Sequence, residues 1–140
     1  MQGSKRSLNE KETNFLNVDL DIYSRSKLDP LVAAFGKSMF VNYLGRERHL
    51  YSTHLEIAGI TKSADAAIRS MCTVTRRLPR AERKLWDRAI KRDFNIGLTA
   101  STTAKCFEIA LAARTIQMIS SLNARIVVTV YSPEQNKSAR

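Results

Sequence analysis

From Phe15 to Tyr23 the chain alternates, with Leu16, Val18, Leu20 and Ile22 apolar and Asn17, Asp19, Asp21 and Tyr23 between them. A period of two predicts a half-buried strand. Asp29-Pro30 reads as a helix N-cap followed by proline in the first turn. Leu31, Val32, Ala34 and Phe35 then form a short helix that Gly36 stops. Residues 39–44 read as a second strand and Gly45-Arg46-Glu47-Arg48 as a turn. Tyr51, Thr53, Leu55 and Ile57 alternate with Ser52, His54 and Glu56, which predicts a third strand and closes a hairpin.

Beyond Gly59 the period changes to that of a helix. Ser63 is the expected N-cap of a helical segment whose apolar positions are Ala64, Ala67, Ile68, Met71, Val74, Leu78, Leu85, Trp86, Ala89 and Ile90. Pro79 lies inside that pattern, where its missing N–H and its ring cost about 3 kcal/mol. The expectation is therefore two abutting helices, 64–78 and 80–91. Phe94, Ile96 and Leu98 mark a fourth strand. Residues 106–111 fit either a strand or the start of a helix. Residues 112–122 read as a helix with Ile116, Ile119 and Leu122 inward and Asn123 as its stop. Residues 126–131 are a continuous β-branched run, as in a buried central strand. Residues 1–14 and 133–140 are polar and are expected to be flexible tails around a single domain, 15–132. The mixture predicts an α+β fold, with one mixed or antiparallel sheet of four to six strands and helices packed on one face.

Charge changes this picture. The 140 residues hold 23 Lys and Arg against 13 Asp and Glu, a formal net charge of +10. Nine of the basic residues lie between Ala64 and Arg92: Arg69, Arg76, Arg77, Arg80, Arg83, Lys84, Arg88, Lys91 and Arg92. On a helix of about 3.6 residues per turn they fall opposite the apolar stripe. Such a face suits an anionic macromolecule, either an acidic protein held by Arg–carboxylate pairs or nucleic acid held by its phosphates. Asp65, Glu82 and Asp87 partly offset it, so a merely solvated helix face is the competing account. No aromatic-rich RNA-binding strand, zinc-finger spacing or clear helix-turn-helix is present.

Other groupings are looser. Asp19, Asp21, His54 and Glu56 sit on the polar faces of two strands, where carboxylates and a histidine can bind metal or move protons, or can simply pair across a wet sheet. Arg46, Glu47, Arg48 and His49 sit at the hairpin tip. Cys72 and Cys106 lack C-x-x-C spacing and lie in apolar stretches, where inert buried thiols are expected; Cys106 as a nucleophile has no local motif behind it. Trp86 reads as a core anchor. The chain has no Gly-rich phosphate loop and no nucleophile elbow, so no enzymatic activity and no cofactor are expected. The polar N-terminus lacks a secretory pattern, and no run approaches the roughly 20 apolar residues that span a bilayer, so a reducing cytoplasm is the expected location.

Three segments resemble a bacterial family of small α+β domains of unknown function. They are Phe107-Glu108-Ile109-Ala110-Leu111, then Thr115 to Asn123, then Arg125 to Tyr131. In that family a strand leads through Leu-Ser-Pro into a leucine-rich helix ending in Leu-Gly, followed by a strand ending in Ile-Tyr or Val-Tyr. The stretch from Val18 to Gly36 is similar to the family's first strand and helix. Here Ala112-Ala113 replace Ser-Pro, Asn123 replaces Gly, and Thr129 stands where Asp is frequent. Some members are suspected to be immunity-type proteins that bind a toxin. The resemblance thus implies an α+β fold and a role in binding a protein partner, and it brings no catalytic residues with it.

Overall fold

The computed structural model describes residues 14–103 and 106–133. The expected tails lie outside the described residues, except Asn14, which begins the first strand, and Pro133. The strands are β1 (Asn14–Ser24), β2 (Met39–Glu47), β3 (Leu50–Ile57), β4 (Lys91–Thr99) and β5 (Arg125–Tyr131). The helices are α1 (Asp29–Phe35), α2 (Ala64–Arg76), α3 (Arg80–Arg88) and α4 (Ala113–Ser121), with a 3-10 turn at Gly36–Ser38. One mixed five-stranded sheet runs in the order β2-β3-β1-β4-β5. All neighbours are antiparallel except β4 and β5, which are parallel and joined through α4. The architecture is α+β, as the periodicity predicts.

The alternation in β1 sorts the two faces. Val18, Leu20 and Ile22 are buried, beside Leu55 of β3 and Phe94 and Ile96 of β4. Leu31 and Phe35 from α1, Ile68, Met71 and Cys72 from α2, Trp86 from α3, and Met118 and Ile119 from α4 complete that core. Trp86 is fully buried and its indole N–H donates to the Leu122 carbonyl at 2.9 Å, so one side chain ties α3 to the end of α4. Ser63 caps α2, its hydroxyl accepting from the Ala66 N–H at 3.1 Å. Pro79 does break the helical run, and α3 starts one residue later.

Several expectations are corrected. Leu28, not Asp29, is the N-cap of α1; Asp29 is a first-turn residue, where its charge suits the helix N-terminus. The turn between β2 and β3 is at Arg48-His49, because pairing continues through Gly45↔Ser52, Arg46↔Tyr51 and Glu47↔Leu50. Arg48 takes φ 57° there. Helix α3 stops at Arg88, and Ile90, Lys91 and Arg92 leave the helix. Ile90 N–H donates to the Tyr23 carbonyl, and Lys91 and Arg92 pair with Tyr23 and Ile22 as the start of β4. Residues 106–111 are neither strand nor helix but irregular chain. Ile116 faces outward at 50% exposure, and Thr115 takes the inward position beside Met118 and Ile119. Asn123 does end α4, at φ 55°. Strand β5 is not central: it forms one edge of the sheet, with Val128 and Val130 more than half exposed.

Candidate functional site

The nine basic residues do not form one continuous face. Arg69 pairs with Asp65 at 3.0 Å, and Arg83 is half-buried with its Nε 3.5 Å from Asp87. The Lys91 ammonium sits 5.6 Å from the Tyr23 ring centre, a cation–π geometry. Arg92 is turned inward. Its Nη1 donates to the carbonyls of Trp86 at 2.9 Å and Ala89 at 2.7 Å, and its Nε to that of Asn123 at 2.9 Å. It thereby adds donors to carbonyls at the end of α3 and to the turn just past α4. Sequence reasoning missed this role because the basic run continues across the helix end.

What remains is tighter. Arg76 and Arg77 end α2, and Arg80, Lys84 and Arg88 follow at four-residue steps along α3. That spacing keeps the last three on one helix face. All five are exposed, and among the described residues none makes an ion pair. Only Leu78 and Pro79 separate the α2 end from the α3 start, so Arg76 and Arg77 adjoin Arg80 at the corner and Lys84 and Arg88 continue from it along α3.

The open face of the sheet gathers the second group. His54 Nδ1 lies 2.8 Å from Asp21 Oδ1, and the two residues are direct cross-strand partners. Tyr23 meets the imidazole edge-on at 6.0 Å and Tyr43 lies tilted against it at 5.6 Å. Asn17 Nδ2 donates to Glu56 at 2.9 Å and to Asp19 at 3.3 Å, and Asn42 donates to the same Glu56 oxygen at 3.0 Å. Burial, then the neighbouring charges of Asp21 and Glu56, push the Asp19 carboxyl up to about 6. The sheet therefore does bring Asp19, Asp21, His54 and Glu56 together, as a hydrogen-bonded polar row. Among the described residues no group of three or more His, Cys, Asp or Glu is arranged to hold a metal ion.

The remaining candidates disperse. At the hairpin tip the Arg46 guanidinium lies over the Tyr51 ring at 5.4 Å, and Glu47, Arg48 and His49 are exposed. Cys72 is buried, and that burial raises its thiol to about 11. Cys106 is exposed, contrary to the burial expected of it, because the chain at 106–111 lies along the surface. Among the described residues no helix is long and apolar enough to cross a membrane.

No protein-family model, curated protein or solved structure matches this chain.

Proposed function

We infer that the protein is a non-enzymatic binding module that engages an acidic protein partner through the α2–α3 corner. The carrying observation is the set of five exposed cations, Arg76, Arg77, Arg80, Lys84 and Arg88, none with an ion-pair partner among the described residues. Clustered cations of this kind steer an anionic partner in and fix its register. Four of the five are arginines, whose planar forks hold carboxylates in two-point contacts. The resemblance to immunity-type domains supports a protein partner, as does the lack of an aromatic base-stacking surface among the cations. Arg69, Arg83, Lys91 and Arg92 belong to the fold rather than to this surface.

The reading is tested by fluorescence anisotropy with three labelled probes: polyglutamate, a random DNA duplex and a random RNA, each titrated from low to physiological salt. Polyglutamate is expected to bind at low salt, more tightly than either nucleic acid. Reversal of Arg80, Lys84 and Arg88 to Glu is expected to weaken it at least tenfold while leaving circular dichroism unchanged. Tighter binding of DNA or RNA, with a steep log–log salt dependence, would transfer the same corner to phosphate recognition. Absence of binding to all three at low salt would end both readings.

A further inference from the structure

Among the described residues eleven large apolar side chains are exposed: Phe40, Val41 and Tyr43 on β2, Ile60, Ile90 and Ile116 singly, and five gathered at one end of the sheet. Phe107, Ile126, Val128, Val130 and Tyr131 all lie at the β5 end of the molecule and are each between 39% and 59% exposed. Ile126, Val128 and Val130 are paired in register with Phe94, Ile96 and Leu98, so they project on the helix-covered side of the sheet. The helices leave that margin open. A cavity of about 210 Å³ lies there, walled by Ile96 and Leu98 of β4, Ile109 and Leu111 of the irregular segment, and Ile126 and Val128. Monomeric proteins seldom leave a contiguous apolar surface beside a free strand edge.

The two edges of the sheet differ. Strand β2 carries a register irregularity between Val41 and Tyr43 and the charged pair Arg46-Glu47, devices that discourage edge pairing. Strand β5 pairs with β4 in unbroken register and has no charge, proline or glycine after Arg125. Arg125 is itself neutralised by a two-point ion pair with Asp93, at 2.8 Å for each contact. The Tyr131 carbonyl accepts from Ala100 on the β4 side. Backbone groups alternate sides along a strand, so the N–H and C=O groups of Ile126, Val128 and Val130 point to the free edge.

We propose that the free edge of β5 is a homodimer interface, at which β5 of a second copy pairs antiparallel about a two-fold axis at Val128 to make a continuous ten-stranded sheet. The strand is chemically symmetric about that residue. Ile126 meets the second copy's Val130, Val127 meets its Thr129, and Val128 meets itself, with the outward backbone groups facing one another in hydrogen-bonded pairs. Arg125 meets the second copy's Tyr131, a cation–aromatic cross-strand pair like Arg46 with Tyr51 and Lys91 with Tyr23 within the fold. The Arg125–Asp93 pair removes the charge that would otherwise repel two copies at this edge. The chain's own residues outside the described segments offer no match, since 1–13 and 134–140 are dominated by polar and charged side chains. The interface is separate from the α2–α3 corner and stands whether or not that corner binds an acidic protein.

Sedimentation equilibrium in reducing buffer, so that Cys106 cannot cross-link, tests the proposal. Wild-type protein is expected to weigh twice its chain mass at micromolar concentration. Val128→Lys and Val130→Lys, both at exposed positions, are each expected to give monomers with unchanged circular dichroism. Val41→Lys, on the opposite edge, is expected to remain dimeric. A wild-type monomer throughout the concentration range would overturn the proposal. So would a dimer that survives both β5 variants, or one that only Val41→Lys dissociates.

Discussion

A single side chain can belong to the fold while looking, by charge, like part of a surface. Arg92 donates to four carbonyls, those of Trp86, Asp87 and Ala89 at the end of α3 and that of Asn123 just beyond α4, where a helix leaves acceptors short of donors. Arg92→Met keeps the aliphatic stem and removes the donors. Its expected cost is about 1–3 kcal/mol, read from the midpoint of urea unfolding. Arg92→Lys should recover little, since one ammonium does not reproduce a planar fork with several N–H groups. Arg77→Met, at an exposed position without an ion pair, is expected to stay within about 0.5 kcal/mol of wild type. Asp65 is a similar case. It accepts from Ala112 N–H at 2.9 Å and from Arg69 at 3.0 Å. The nearby Thr115 hydroxyl first, although it closes no hydrogen bond of ordinary geometry, then that N–H, then Arg69, hold its carboxyl below the ordinary range.

At the scale of one strand, the polar row on β1 sets a pH dependence. Asp19 ionises at about 6 in the folded protein against 3.8 as a free carboxyl. A raised pKa means that its contribution to stability is fully present below 3.8 and is lost as pH rises through about 6. Asp19→Asn keeps an oxygen for the Asn17 contact and removes the charge. It is expected to raise the urea midpoint at pH 7 and to flatten its decline between pH 4 and pH 7; an unchanged slope would place that decline on other groups.

Elements also differ in how much of them was legible. Strand β1, the Ser63 cap, the Pro79 break and the Asn123 stop are local chemistry, and the sequence shows them. Lys91 and Arg92 do not look different from Arg88 locally; only pairing with Tyr23 and Ile22 makes them strand. The run from Ile126 to Tyr131 reads alike in a sheet centre and at an uncovered edge, because local pattern records apolarity and not what covers it. The Asp21–His54 pair was legible as a cross-strand possibility. Which five cations stay unpaired was not, because it depends on where α3 ends.

Over the whole molecule, a net charge of +10 with five unpaired cations at one corner stores repulsion in the folded state. The Debye length shrinks from about 30 Å at 0.01 M salt to about 8 Å at 0.15 M. The thermal midpoint is therefore expected to rise over that range, and to rise less in the Arg80/Lys84/Arg88 reversal; equal shifts in the two proteins would locate the repulsion elsewhere. The sheet order has a different consequence, one of timing. Strand β1 is the first of the described strands yet lies at the centre of the sheet, between β3 and β4. Its partner on one side ends at Ile57 and its partner on the other ends at Thr99. A ribosome-bound chain can therefore satisfy one edge of β1 well before the other, and β1 emerges before both of its partners yet is enclosed only when β4 arrives. Folding must bridge that long sequence separation before the core closes, which favours slow closure over rapid local assembly.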